Sequence, residues 1–159
     1  MRWFRFGVLV CLATVLQAGF LSNFNTKPDL LIITLVFFAI YFSTTEAIIS
    51  SFIIGFAADL IGPSMGSQML SFGILGTILA YLNRVVALRK IPYQVLSIFI
   101  MTILAGILSN FLNSLKGIGI IEYGIIIKTT IFSAIAGPFV FIPSAWWMRI
   151  NLKRYRKRH

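Results

Sequence analysis

The chain has 159 residues, a one-domain length, of which 58% are hydrophobic and 11% charged, with mean hydropathy +0.93. Soluble domains carry roughly 25% charged residues, so a water-facing shell cannot be built and the sequence reads as a membrane protein. Net charge is +10 (14 Lys+Arg against 4 Asp+Glu), but the basic residues sit at segment ends rather than along one face, which argues against a nucleic-acid partner.

A helix crosses the hydrocarbon with about 20 apolar residues. Six segments are predicted to do so, at about 6–24, 28–43, 46–61, 65–83, 92–115 and 123–148, in one integral membrane domain that ends in a basic tail over 149–159. The second and third form one apolar run far too long for a single span. It is cut at Ser43-Thr44-Thr45-Glu46, where Ser43 and Glu46 have capping-box spacing. Gly62-Pro63-Ser64, Arg89-Lys90-Ile91-Pro92 and Lys116-Gly117 supply the other turn signals. The first segment has a charged start and an apolar core but no clean small-x-small site, so it is expected to be retained rather than cleaved.

Charge sets the orientation. With six spans, Arg2, Arg5, Arg84, Arg89, Lys90, Arg149, Lys153, Arg154, Arg156, Lys157 and Arg158 all fall on one side, with Lys27 and Lys116 opposite. Merging or dropping a span scatters them. The positive-inside rule then puts both termini in the cytoplasm and Trp3, Trp146 and Trp147 at the cytoplasmic interface.

Charges at membrane depth are expensive and mark sites by default. The candidates for an outer-face polar pocket or partner site are Lys27, Asp29, Asp59 and Lys128. Asp29 follows Pro28 at a helix start, where proline and a carboxylate are both favourable. Asp59 lies near the C-terminal end of its span, where the dipole disfavours a carboxylate. It therefore needs either a cation, for which Lys128 is in reach, or a set of hydrogen-bond donors. Separate snorkelling of the two side chains to water is the alternative.

Small residues recur at helical spacing. Ala47, Ser51 and Gly55 lie on span three, Gly66, Gly73, Gly76 and Ala80 on span four, and Thr102, Gly106 and Asn110 on span five. Such stripes let helices approach closely in lipid and are read first as internal packing. Gln17 and Asn110 are expected to hydrogen-bond between helices. Catalysis finds no support. The sole histidine is His159 and the sole cysteine Cys11, which excludes a Ser-His pair in the membrane, an internal disulfide and a cysteine-based metal site. No phosphate-binding loop occurs, and no cofactor is expected.

Residues 27 to 84 resemble the rod shape-determining MreD family. Lys27-Pro28-Asp29-Leu30-Leu31 opens an apolar run, Glu46-Ala47 starts the next span, and Gly55-Phe56-Ala57-Ala58-Asp59-Leu60 precedes Gly62-Pro63 and Met65-Gly66. Tyr81-Leu82 closes span four before Arg84. Where many relatives carry Gly-Leu-His this chain has Gly66-Ser67-Gln68, so no histidine role carries over. The resemblance implies a noncatalytic subunit in the bacterial inner membrane. It would work with a single-pass MreC-like protein, the elongation polymerase and transpeptidase, and an MreB-like filament protein to organise cylindrical wall synthesis. It also implies a six-helix arrangement like that of the substrate-binding subunits of vitamin importers, with a pocket near the outer face. The lipid bilayer is the remaining partner, with the basic tail against anionic lipid. Two rival readings are a small-molecule importer subunit, against which the short outer loops speak, and a proton-coupled exporter, for which Asp59 lies too near the surface.

Overall fold

The computed structural model describes residues 2–20, 28–62, 66–85, 91–117 and 122–148. The expectations placed on Lys27, on 63–65, on Arg89 and Lys90, and on the tail 149–159 lie outside the described residues. Within them the structure is helical, with no strand. In chain order come α1 (Arg2–Val15), extended by a π-helical turn at Leu16–Phe20, then α2 (Leu30–Tyr41) and α3 (Thr44–Ile61). These are followed by α4 (Ser67–Val85), α5 (Ile91–Leu115) and α6 (Tyr123–Trp147).

Helix α2 organises the bundle. All ten residues from Leu31 to Ile40 are buried, and a helix that is apolar all round belongs in an interior. Its 12 residues extend only about 18 Å at ~1.5 Å per residue. It is a central post, with the other helices around it. Phe38 meets Phe6 of α1 edge-on at 4.8 Å between ring centres, and Phe37 meets Phe141 of α6 at 5.4 Å. The post is separated from α3 by Phe42 and Ser43. Ser43 caps α3, its hydroxyl accepting the Glu46 N–H at 3.4 Å while Glu46 Oε2 accepts the Ser43 N–H at 3.3 Å. The capping box expected from those two residues is formed.

Helices α3, α5 and α6 are each long and apolar enough to cross a membrane. Trp3–Gly19 and α2 are shorter apolar helices. Among the described residues there are six α-helices, which fits the six expected.

Helices α3 and α4 interlock through small residues. A Cβ added at Gly55 would lie 2.7 Å from the Met69 Cα. One at Gly76 would overlap Ser51, only 2.7 Å from its Oγ, and one at Gly73 would enter the Phe52 ring. Ala47 and Ala80 are buried in the same seam.

The two ends of the bundle differ. At one end Asn83 Nδ2 donates to the Ala39 and Ile40 carbonyls at 3.1 and 2.9 Å, satisfying the end of α2. Arg84 Nε donates to Thr44 Oγ1 at 2.8 Å, Gln94 Nε2 to Tyr41 Oη at 2.9 Å, and Trp147 Nε1 to the Arg5 carbonyl at 3.2 Å. The starts of α2, α4 and α6 and the ends of α3 and α5 gather at the opposite end, where both aspartates lie.

Candidate functional site

The chain must start α2 next to the π-helical turn, and Asp29 joins the two. Its Oδ1 accepts the Leu31 and Ile32 N–H groups at 3.1 and 3.2 Å as an N-cap, and also the Gln17 side-chain amide at 3.2 Å. Gln17 in turn accepts the Leu31 N–H through Oε1 at 3.2 Å. The Asp29 N–H donates to Ser133 Oγ of α6 at 2.7 Å. One residue thereby ties α1, α2 and α6 together. The interhelical mates of Gln17 are Asp29 and Leu31. The π-turn widens the helix at the point where that amide leaves it, a placement in which π-bulges recur.

Asp59 is 5% exposed at the end of α3. Its Oδ2 accepts the N–H groups of Gly66 and Met69, and its Oδ1 that of Gln68, all at 2.9 Å. Backbone donors at the positive end of α4 therefore offset the unfavourable dipole of α3. Gly66 has φ +90°, a conformation that glycine adopts freely and other residues rarely. It turns the N–H toward the carboxylate. Lys128 is exposed on α6, and Lys116 Nζ donates to Ser67 Oγ at 3.2 Å.

Between α2, α4, α5 and α6 at this end lies a cavity of about 200 Å³. Asp29 and Ile32 form its α2 wall, Gln68 and Phe72 its α4 wall. Thr102, Ala105, Gly106 and Ser109 face it from α5, and Ile125, Ile126 and Thr129 from α6. The opening exists because α5 presents its smallest side chains there. A Cβ at Gly106 would strike Ile126 at 2.7 Å, so α5 and α6 touch beside the void.

Of the four residues predicted for an outer polar site, Asp29 is in the cavity wall. Asp59 stands one step behind it, bonded to the backbone of Gln68. Lys128 is next to the wall residue Thr129 in sequence, and Lys27 lies outside the described residues. None of the predicted small residues of α3 and α4 is among the wall residues, although Gly55 packs against the backbone of Gln68 and Gly66 donates to Asp59. Sequence reasoning missed Gln68, Phe72 and Ser109. The available signal was on span five, where Thr102, Gly106, Ser109 and Asn113 form one helical row; only the four-residue spacing from Thr102 to Asn110 was read.

Compared with known proteins, the chain matches the family model described as rod shape-determining protein MreD over residues 1–152. No curated protein and no solved structure matches it significantly.

Proposed function

Because this chain belongs to the MreD family of rod shape-determining proteins, we propose that it is a noncatalytic, multi-pass subunit of the bacterial inner membrane. In this reading it helps an MreC-like single-pass protein to organise the elongation polymerase and transpeptidase, with an MreB-like filament protein on the cytoplasmic side. The observation that carries it is the family match along almost the whole chain. The helical body supports it, because so few of the described residues stand outside the helices that partners would be met largely through lipid-facing side chains. The large exposed residues supply that surface, among them Phe56 and Leu60 of α3, Ile74 and Ile78 of α4, and Phe139 of α6. Arg5 and Arg84 lie at the end of the bundle opposite the aspartates, which supports placing both termini in the cytoplasm by the positive-inside rule.

The test is depletion of the protein in the rod-shaped bacterium that carries it. Rounding of the cells without a new nutrient requirement, reversed by the wild-type gene, is the expected result. Normal rods with a nutrient requirement would replace this reading with the importer subunit, which the cavity at the aspartate end favours. A reporter fused to the C-terminus is expected to be active in the cytoplasm.

A further inference from the structure

We propose that the cavity between α2, α4, α5 and α6 is a binding site for an uncharged amphiphile, an apolar body carrying one hydroxyl or carboxamide group. The proposal stands independently of the cell-shape reading.

Size is the first argument. Close-packed interiors contain few voids larger than a water molecule, and an engineered apolar cavity of about 150 Å³ already binds benzene. This one measures about 200 Å³, room for a ring or a short branched chain. Most of its wall is apolar: Phe72 and Ile32 on one side, Ala105, Ile125 and Ile126 on the other.

The second argument is an unmet hydrogen bond. Buried hydroxyls in this bundle are satisfied locally. Thr34 donates to the Leu30 carbonyl, Ser71 to that of Ser67, Thr102 to that of Ile98 and Thr130 to that of Ile126, each at 2.7–2.8 Å. Ser109, a wall residue, is 1% exposed and its Oγ has no partner. One turn further along α5, Asn113 is 2% exposed and its Oδ1 has none either. Among the described residues these are the two buried side-chain atoms left so. A buried polar group without a partner is costly, so a molecule that carries its own hydrogen-bonding group gains by entering beside Ser109.

Charge selects the class. Asp29 is the one ionisable residue among the described residues of the wall. A phosphate or carboxylate would meet its like charge. The Asp29 carboxylate accepts from the start of α2 and from Gln17, so the handle it offers is a hydrogen bond. The matching group could belong to a free small molecule or to the end of a lipid, since both present the same chemistry.

The full chain, purified into nanodiscs of palmitoyl-oleoyl phosphatidylglycerol, is titrated with 4-fluorobenzyl alcohol and, separately, 4-fluorobenzoate, followed by fluorine NMR. Saturable binding of the alcohol and none of the benzoate at equal concentration is expected. Ser109→Ala should weaken the alcohol by about three- to tenfold, as loss of one hydrogen bond does. Ser109→Leu and Ala105→Leu should abolish its binding by filling the space, with native helicity and size-exclusion profile checked for each. Protein extracted from its own membranes is then denatured and its contents identified by mass spectrometry. A stoichiometric uncharged molecule present in wild type and lost in Ser109→Leu supports the proposal, and its identity separates a lipid source from a free one. Equal alcohol signals in wild type and both folded leucine variants would show partitioning into bilayer alone and overturn the proposal. Binding of the benzoate as tightly as the alcohol would overturn the assigned class.

Discussion

Replacing Asp59 with alanine would strip three backbone N–H groups of their acceptor at once. Gly66 and Met69 share Oδ2 and Gln68 holds Oδ1, each at 2.9 Å, around a side chain only 5% exposed. A buried donor left without a partner costs about 1–3 kcal/mol. With all three near the low end, because they lie at the end of the bundle, the loss is about 3 kcal/mol. A chain of this length loses roughly 2–4 °C of melting temperature per kcal/mol, so about 6–12 °C is expected. Asp59→Asn separates the contributions: its carbonyl can keep the two donors on one side, while its amide opposes the third. It should fall between wild type and alanine, at about 1–2 kcal/mol. The emission of Trp3, Trp146 and Trp147 during heating in detergent reports the transition. If alanine melted with wild type, or if asparagine were the worse of the two, the backbone clamp would not be what holds Asp59. Combining Asp59→Ala with Lys128→Ala adds a second readout. Because Asp59 is satisfied by α4, the effects should add within about 0.5 kcal/mol; a larger coupling would restore the ion pair as its partner.

Substitutions at three further positions test other parts of the bundle. Gly76→Ala should destabilise by about 1–3 kcal/mol, since its methyl group would overlap Ser51; Ser51→Gly in the same chain should recover most of that, by the same melting assay. Gln17→Leu removes the amide from both Asp29 and Leu31 and should cost about 1–2 kcal/mol, whereas Gln17→Glu sets a second carboxylate against Asp29 and should melt lower still. Asn83→Asp turns an acceptor toward the Ala39 and Ile40 carbonyls, so it should be less stable than Asn83→Ala; the opposite order would mean that the end of α2 is satisfied by another group.

Local chemistry was the most legible part of the sequence. Ser43 and Glu46 declare a capping box because both halves are side chains three residues apart. The conflict between Asp59 and its helix dipole was equally readable, and so was the need for either a cation or donors. Which of the two could not be read, because the donors are backbone N–H groups and carry no side-chain signature. Gln17 announced a partner in the same way without naming it. The role of α2 was hidden by a different cause. A run of apolar residues has the same composition whether it faces lipid or lies inside a bundle, and only its burial by α1, α3, α4, α5 and α6 separates the cases. The cavity was the least legible feature, since a void depends on which small residue faces which large one. Thr102 and Gly106 were marked as a packing row, yet Gly106 does pack against Ile126 while Thr102 borders empty space.

The short central helix and the cavity belong to one geometric problem. A hydrocarbon layer is about 30 Å thick and α2 covers about 18 Å of it, leaving roughly 12 Å along the bundle axis without a central helix. At the Asn83 end the side chain of Asn83 reaches over the last carbonyls of α2, and Gln94 bonds to Tyr41. At the Asp29 end the chain enters α2 through Pro28 and Asp29, both without helical conformation, and α5 offers only small side chains opposite. The cavity opens there against the N-cap Asp29 and against Ile32 in the first turn of the post. The two aspartates then divide the support of its walls. Asp29 fixes the start of α2 to Gln17 and Ser133, and Asp59 fixes the first turn of α4 through Gln68 and Met69. Both carboxylates brace the frame around the cavity. Among the described residues the two buried polar atoms without partners, Ser109 Oγ and Asn113 Oδ1, are both on α5.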